Sequence, residues 1–237
     1  MKLSGIVFDV DGTLAETEEF HRRAFNLTFS RRKMNWYWSK RDYKKLLFVT
    51  GGHERMEHYQ SLATPRKNHF SKEYLRDLHI EKTKCYENLI TNSHIKARKG
   101  VTKLIRAAKK TNMRIGISTA TSFKNIDTLC KSLWAESART IFDKIASGDE
   151  VRNKKPSPDL YRLILRKLNL MGSECIAIED SRNGLLAAKG AGLTTLIVPS
   201  LYTSHENFSE ADFLSDSLER RDLPEKLVNA VFKKSHI

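Results

Sequence analysis

Short apolar runs alternate with amphipathic segments through most of the chain. Runs typical of buried strands occupy residues 6–8, 113–119, 141–147, 175–179 and 194–198. Apolar positions with helical spacing occupy residues 122–133, 159–170 and 182–191. Alternation of this kind is typical of a parallel sheet that is covered by helices. The pattern therefore predicts an α/β fold whose core is a Rossmann-like, doubly wound parallel sheet.

A segment of different texture separates the first apolar run from the second. Between residues 15 and 95 the chain is rich in charged and aromatic residues and has no continuous β-type run. Its apolar positions fit helices that are interrupted at Gly51-Gly52 and at Pro65. We therefore expect an α-helical domain at 15–95, inserted into a core domain formed by 1–14 and 96–237.

Charge narrows the choice of partner. The chain has 42 Lys and Arg against 28 Asp and Glu, a net charge of +14, which suits nucleic acid, an anionic membrane or a small polyanion. The basic residues are dispersed along the predicted helices, so we expect solvated helix faces, a small phosphorylated substrate, no nucleic acid and no membrane. A non-enzymatic protein that binds nucleic acid is the alternative that the charge leaves open.

Cysteine usage and hydropathy indicate the compartment. Cys85, Cys130 and Cys175 are far apart and lack a CxxC spacing, so neither a disulfide framework nor a zinc site is indicated. No segment approaches the roughly 18 apolar residues of a membrane span, and no signal peptide is evident. We expect a cytoplasmic protein, and a monomer.

Two carboxylates follow the first apolar run, in Asp9-Val10-Asp11-Gly12-Thr13. Side chains two residues apart on an extended segment point the same way, so Asp9 and Asp11 should face one small volume. Their mutual repulsion favours a bound cation or a shared proton. An ordinary turn at the end of a strand is the alternative, because Asp and Gly are common turn formers.

Three candidate residues fall at or just after the ends of predicted strands: Asp9, Thr119 and Asp180. Ligands bind outside the carboxyl ends of the strands in sheets of this type. The sequence therefore predicts that these three segments converge on one crevice.

Phosphoryl transfer explains these residues together. A carboxylate at Asp9 can attack phosphorus and form an aspartyl phosphate, while Asp11 protonates the leaving oxygen and later deprotonates water. Because both reactants are anions, positive charge is needed beside them, and Lys155 and Mg²⁺ would supply it. Oxygen ligands for Mg²⁺ are available from Asp9, Asp11, Asp180 and Glu179.

The phosphate itself needs donors. The hydroxyl of Thr119 can bind a phosphate oxygen, as can the N–H groups of Ala120 and Thr121 at the predicted helix start. These residues complete the predicted core of the site.

In this order, the pieces resemble the haloacid dehalogenase superfamily, whose members are mostly Mg²⁺-dependent phosphatases that use an aspartyl phosphate. Further matching stretches are Gly148-Asp149-Glu150-Val151, Lys155-Pro156-Ser157-Pro158-Asp159 and Glu179-Asp180-Ser181-Arg182-Asn183-Gly184. The resemblance covers almost the whole chain. It implies a nucleophile at Asp9, a general acid/base at Asp11, phosphate ligands at Thr119 and Lys155, and a metal ligand at Asp180 beside Glu179.

The insertion resembles the cap of one subgroup, CbbY, on stretches that include Ala15-Glu16-Thr17-Glu18, Trp36-Tyr37-Trp38 and Gly51-Gly52-His53-Glu54-Arg55. That subgroup is associated with dephosphorylation of xylulose 1,5-bisphosphate. In this superfamily such a cap closes over the site and selects the substrate. The resemblance implies that Arg55 and the backbone of Gly51 and Gly52 hold a second phosphate. It also implies contacts from Glu16 and His21 to sugar hydroxyls.

Two positions depart from the related patterns. His53 stands where the CbbY subgroup has lysine, and Thr50 stands where the related sugar phosphomutases have lysine. The expected function is a phosphatase for a small sugar phosphate, with a sugar bisphosphate as the expected substrate. A phosphomutase of the β-phosphoglucomutase kind is the alternative, and Thr50 favours the phosphatase.

Overall fold

Six strands form one parallel sheet in the computed structural model, which describes residues 2–63 and 65–232. In chain order they are β1 (Gly5–Phe8), β2 (Arg114–Ser118), β3 (Lys144–Ala146), β4 (Cys175–Glu179), β5 (Thr194–Ile197) and β6 (Phe213–Leu214). Their order across the sheet is β3-β2-β1-β4-β5-β6, and every pairing is parallel. This is the strand order of a doubly wound, Rossmann-like sheet.

Strand β1 lies at the centre, where Phe8 is in register with Ile117 of β2 and with Ile178 of β4. All residues of β1 and β4 are buried, as expected for parallel strands that are covered on both faces. The strand order reverses between β1 and β4, and this arrangement opens a crevice at their carboxyl ends. Asp9 and Asp180 directly follow these two strands, so the fold brings them to the same edge.

The helices, in chain order, are α1 (Glu18–Arg31), α2 (Lys40–Leu46), α3 (Gly52–Ala63), α4 (Lys72–Thr91), α5 (Val101–Lys110), α6 (Phe123–Trp134), α7 (Ala138–Ile141), α8 (Asp159–Leu168), α9 (Arg182–Gly190) and α10 (Glu225–Phe232). On one sheet face Val7 and Ala177 share a buried cluster with apolar residues of α8 and α9. Side chains alternate along a strand, so Phe8 points to the opposite face, where its ring lies 6.2 Å from that of Phe142. Helices flank the sheet, and the predicted fold class is confirmed.

Two compact units divide the chain. One contains the residues up to Glu16 and from Ile95 onward, with the sheet and α5 to α10; the other, Thr17–His94, contains α1 to α4. The sequence predicts these junctions after residue 14 and after residue 95. The helical unit has its own core around the fully buried Trp38, whose ring centroid lies 4.5 Å from that of Phe25.

The structure differs from the predicted elements near residue 141. The predicted strand at 141–147 is wrong at its start, because Ile141 ends helix α7 and β3 covers only Lys144–Ala146. Two hydrogen bonds begin that short helix: Asp127 accepts from the N–H of Ala138 at 2.9 Å, and Ser137 accepts from the N–H of Arg139 at 3.3 Å. Strand β6 was not predicted, since its two residues are exposed and form no apolar run.

All three cysteines are buried, and none of them forms a disulfide. Among the helices described, none combines the length and the apolar character that crossing a membrane requires.

Candidate active site

Asp9 and Asp11 lie where β1 ends. Asp9 is buried, and its N–H donates to the carbonyl oxygen of Ile178 at 3.0 Å, which continues the pairing of β1 with β4. A tight turn follows, in which the N–H of Gly12 donates to the carbonyl of Ala15 at 2.9 Å and Gly12 adopts a φ of +81°. Both carboxylates therefore stand at the carboxyl edge of the sheet, where the sequence predicts them.

Lys155 joins the ends of three strands. Its ammonium donates to Oδ1 of Asp9 at 2.6 Å, to Oε1 of Glu179 at 2.6 Å and to the carbonyl oxygen of Ser118 at 2.8 Å. The side chain is buried, and three acceptors satisfy all three of its N–H donors. Lys155 thereby holds the candidate nucleophile and the acidic end of β4 in one arrangement.

Tyr161 of α8 also belongs to this cluster, although the sequence pattern does not predict it. Its hydroxyl donates to Oε1 of Glu179 at 2.7 Å, and Nζ of Lys155 lies 5.2 Å from the centroid of its ring. Tyr161 is fully buried. In the sequence it occupies one of the apolar positions of a helix, so no local signal distinguishes it from a core residue.

Burial and charge shift the pKa values of the cluster. Burial raises the pKa of Asp9 well above its ordinary value, and the charge of Glu179 adds to this, while Lys155 opposes both. Burial by itself lowers the pKa of Lys155, but attraction to Asp9 and Glu179 outweighs it and raises that pKa. The pKa of Tyr161 lies well above its ordinary value because of burial and the charge of Glu179. Lys155 therefore stays charged and Tyr161 stays a donor near neutral pH.

Three acidic residues offer a set of metal ligands. One carboxylate oxygen each from Asp9, Glu179 and Asp180 lies within 4.8 Å of the others, and all three residues are buried. Oε2 of Glu179 has no hydrogen-bond partner in the part of the chain that the structure describes. An all-oxygen set of carboxylates fits a hard divalent cation such as Mg²⁺. Asp11 lies outside this group, so its role as a ligand stays a prediction.

The loop after β5 supports Asp180. The hydroxyl of Thr203 donates to the carbonyl oxygen of Asp180 at 2.7 Å and lies 3.2 Å from its Oδ2. On the other side, a Cβ at Gly12 would lie 2.1 Å from Oδ2 of Asp180, so only glycine fits there. Asp180 is held between this loop and the turn after β1.

The predicted phosphate ligands follow β2. Thr119 is buried, and its N–H donates to the carbonyl of Ala146 at 3.1 Å. Its hydroxyl oxygen accepts the N–H of Thr121 at 3.3 Å, so that N–H is used within the loop. Ala120 lies against Gly148, and a Cβ added at Gly148 would lie 2.0 Å from the carbonyl oxygen of Ala120. Phosphate binding by Thr119, Ala120 and Thr121 stays a prediction.

Glu16 lies in the same unit as the sheet. Its Oε1 is 3.2 Å from Nε of Arg98, and its Oε2 accepts the N–H of Leu201 at 3.3 Å. These contacts connect Glu16 to the segment after the helical unit and to the loop after β5. The predicted contact of Glu16 with a sugar hydroxyl is untested.

In the helical unit, His21 is buried beside Lys82, a residue that no sequence motif predicts to be functional. Nζ of Lys82 lies 2.7 Å from Nδ1 of His21, and the His21 ring stacks on Tyr86 with centroids 3.9 Å apart. The predicted contact of His21 with a sugar hydroxyl is untested.

Arg55 is anchored inside the helical unit. It is buried, its Nη1 donates to the hydroxyl of Tyr43 at 2.9 Å, and its Nε donates to the carbonyls of Leu46 and Val49 at 3.2 and 3.3 Å. Tyr43 in turn donates to Oε2 of Glu18 at 2.8 Å. Arg55 thus orders the segment before α3, and its binding of a second phosphate stays a prediction.

Glycine is favoured at positions 51 and 52, at the start of α3, for two different structural reasons. Gly51 adopts a φ of +100°, which L side chains rarely adopt, and its carbonyl accepts the N–H of Arg55 at 3.0 Å. A Cβ at Gly52 would lie 2.4 Å from Nε2 of His79. The pair allows this tight helix start, and its contact with a phosphate is untested.

Comparison with known proteins agrees with this geometry. The sequence profile of the family described as haloacid dehalogenase-like hydrolase matches residues 6–198. The protein CbbY of Cereibacter sphaeroides is 46% identical over 215 residues, which cover 91% of this chain and 92% of that protein.

Solved structures show the same relationship. The crystal structure of a CbbY variant from Rhodobacter sphaeroides, in complex with xylulose-(1,5)bisphosphate, superposes with a TM-score of 0.87 at 45% identity and covers 91% of this chain and 95% of that one. A β-phosphoglucomutase from Clostridium difficile superposes with a TM-score of 0.79 over 98% of this chain and 100% of that one. At 24% identity it shows the shared fold alone. This chain belongs to the haloacid dehalogenase-like hydrolases, within the CbbY subgroup, and is a phosphoric monoester hydrolase.

Proposed function

We propose that the protein is a Mg²⁺-dependent phosphatase that hydrolyses a phosphate ester of a small sugar phosphate through an aspartyl phosphate on Asp9. The expected substrate is a sugar bisphosphate such as xylulose 1,5-bisphosphate. The observation that carries this proposal is the buried ammonium of Lys155, which binds Asp9 and Glu179 at 2.6 Å each beside Asp180.

In the first step a carboxylate oxygen of Asp9 attacks the phosphorus atom, and the bond from phosphorus to the sugar oxygen breaks. Asp11 gives its proton to that leaving oxygen. The chain holds Asp9 in place through Lys155, so little reorganisation is needed before attack.

In the second step Asp11, now ionised, takes a proton from water while the water oxygen attacks phosphorus. The bond from phosphorus to Asp9 breaks, and inorganic phosphate leaves. Lys155 and Thr119 offset the negative charge that gathers on the transferring oxygens. A Mg²⁺ ion held by Asp9, Asp180 and Glu179, with Asp11 beside it, would supply further positive charge at the same oxygens.

The substrate is proposed from similarity. A relative that is 45% identical was crystallised with xylulose-(1,5)bisphosphate, and the overlap spans 95% of that chain. We propose the same class of substrate here, with Arg55 and the Gly51-Gly52 backbone as ligands of the second phosphate. Glu16 and His21 are the proposed sugar contacts.

Phosphate release tests the proposal directly. The purified protein is given a panel of pentulose and hexose mono- and bisphosphates, with Mg²⁺ or with EDTA, and free phosphate is measured. We expect release from a sugar bisphosphate with Mg²⁺ and none with EDTA. Asp9→Asn should lower kcat by about 10³-fold or more, because the nucleophile is lost.

Asp149→Asn is the matched control, because Asp149 is exposed and this substitution changes the charge in the same way as Asp9→Asn. Undiminished activity in Asp9→Asn would contradict the assignment of the nucleophile. Formation of an isomerised monophosphate instead of free phosphate would identify the mutase alternative.

A further inference from the structure

Arg98 binds main-chain oxygens from two separate loops. Its Nη1 donates to the carbonyls of Gly12 and of Val198, the latter at 2.7 Å, and its Nη2 donates to the carbonyl of Pro199 at 2.7 Å. Its Nε lies 3.2 Å from Oε1 of Glu16, and the side chain is only 15% exposed. The guanidinium therefore connects the turn after β1 to the loop after β5.

Each of these two segments carries part of the acidic site. Gly12 directly follows Asp11 in the turn that begins with Asp9. Val198 and Pro199 lead into the segment where Ser200 donates its N–H to Oγ1 of Thr203 at 2.9 Å. A contact from one segment to the other thus bears on the spacing of the carboxylates.

Thr203 and Gly12 both reach Asp180. The Thr203 hydroxyl donates to the Asp180 carbonyl at 2.7 Å, and Gly12 packs so closely that a Cβ would meet Oδ2 of Asp180 at 2.1 Å. A shift of either segment relative to the other would therefore move Asp180 relative to Asp9. Arg98 connects the two segments by direct hydrogen bonds to the carbonyls of Gly12, Val198 and Pro199.

Glu16 completes the connection. It neutralises the guanidinium through Oε1, and its Oε2 accepts the N–H of Leu201, so it binds the same loop as Arg98. The N–H of Arg98 also donates to the carbonyl of Leu14 at 2.9 Å, which fixes its backbone against the turn. The side chain is therefore held from both ends.

We propose that Arg98 is a positioning residue that sets the distance between Asp9 and Asp180, and thereby the affinity of the acidic cluster for Mg²⁺. The inference rests on the proposed function for the identity of the cation. A guanidinium suits this task because its planar fork addresses several carbonyls at fixed angles, which a lysine ammonium does not.

Metal binding without substrate tests this role. Mg²⁺ is titrated calorimetrically, and Mn²⁺ by electron paramagnetic resonance, into wild-type protein, Arg98→Met, Arg98→Lys and the control Arg106→Met. Arg106 is an exposed arginine of α5. We expect the Kd for both ions to rise about 10- to 100-fold in Arg98→Met, as is typical when a residue that orients metal ligands is lost. The Kd of Arg98→Lys should lie between those of the wild type and Arg98→Met, and the Kd of Arg106→Met should match that of the wild type.

A second readout separates positioning from general loss of structure. In Arg98→Ala, millimolar methylguanidinium should restore part of the Mg²⁺ affinity, whereas methylammonium should not. Folding of each variant is checked by circular dichroism, and Arg98→Lys decides the matter if Arg98→Met does not fold.

Wild-type Mg²⁺ affinity in a folded Arg98→Met or Arg98→Lys overturns the role of Arg98, whatever the phosphatase assay shows. A wild-type protein that binds Mg²⁺ but releases no phosphate from any substrate overturns the proposed function instead. In that case a raised Kd in Arg98→Met still supports the positioning role.

Discussion

Replacing Lys155 by methionine removes the ammonium that bridges Asp9 and Glu179. The three hydrogen bonds of Lys155, at 2.6, 2.6 and 2.8 Å, are lost, while a side chain of similar length remains. Asp9 and Glu179 then face each other without a cation between them. We expect the variant to lose both stability and activity.

The size of the effect follows from burial. Lys155 is 5% exposed and Glu179 is fully buried, so water cannot replace the lost interactions. Breaking a buried ion pair by removing one partner costs about 3–5 kcal/mol. For a chain of this size that corresponds to a fall in Tm of about 6–20 °C. The loss of positive charge beside the proposed nucleophile should also lower kcat by about 10²- to 10³-fold.

The loss of stability in Lys155→Met should depend on pH. Burial and Glu179 already raise the pKa of Asp9, and removing Lys155 takes away the group that opposes them. A carboxyl whose pKa is raised in the folded state destabilises the fold in its ionised form. The penalty therefore grows as pH rises from the unfolded value of about 4 through the folded pKa. Lys155→Met should lose more stability at pH 8 than at pH 5.5.

Urea unfolding in EDTA measures these differences without a bound cation. Lys103→Met is the control, because Lys103 is an exposed lysine of α5. Adding Glu179→Gln to Lys155→Met removes one of the two facing charges and should recover part of the loss, with a coupling of about 0.5–3 kcal/mol. A loss below about 1 kcal/mol at pH 8 would refute the reasoning, as would a double variant no more stable than Lys155→Met.

Two further predictions concern packing and thiol reactivity. In Gly184→Ala the new Cβ would lie 1.9 Å from Oε2 of Glu179, so kcat and the free energy of unfolding should both fall. In the control Gly190→Ala the nearest atom is 3.4 Å from the new Cβ, so both quantities should stay near their wild-type values. A larger loss in Gly190→Ala than in Gly184→Ala would contradict this reasoning. Burial raises the pKa of the Cys130 and Cys175 thiols to about 12. Iodoacetamide at pH 8 should therefore label both cysteines in urea but neither in the folded protein, as measured by peptide mass spectrometry. Rapid labelling of the folded protein would contradict this prediction and show that the two sites open to solvent.

The strands of the sheet were predictable where burial on both faces leaves a continuous apolar run. The run at 175–179 coincides with β4, and that at 194–198 extends one residue beyond β5. The sequence pattern predicts a strand at Ile141, but the N–H of Ala138 donates to Oδ1 of Asp127 and a helix starts there instead. Local pattern does not contain that contact.

The chemistry of the site divides in a similar way. Asp9, Lys155 and Asp180 were predicted as site residues from residue type and order, because phosphoryl transfer needs carboxylates and a cation at the ends of strands. Tyr161 and Arg98 were not, because each resembles an ordinary helix or loop residue in the sequence. Their partners lie 18 and 86 residues away along the chain, at Glu179 and Gly12.

The sequence by itself determined the fold class and the residue types that we propose for the chemistry, because hydrophobic periodicity and short motifs are local properties. Only the tertiary structure decided which oxygens share the ammonium of Lys155 and which loops the guanidinium of Arg98 connects. Those contacts depend on the strand order β2-β1-β4-β5, which brings distant segments to one edge of the sheet. Hydrogen bonds act over about 3 Å, so their partners are determined by distance in the folded structure and not by separation along the sequence.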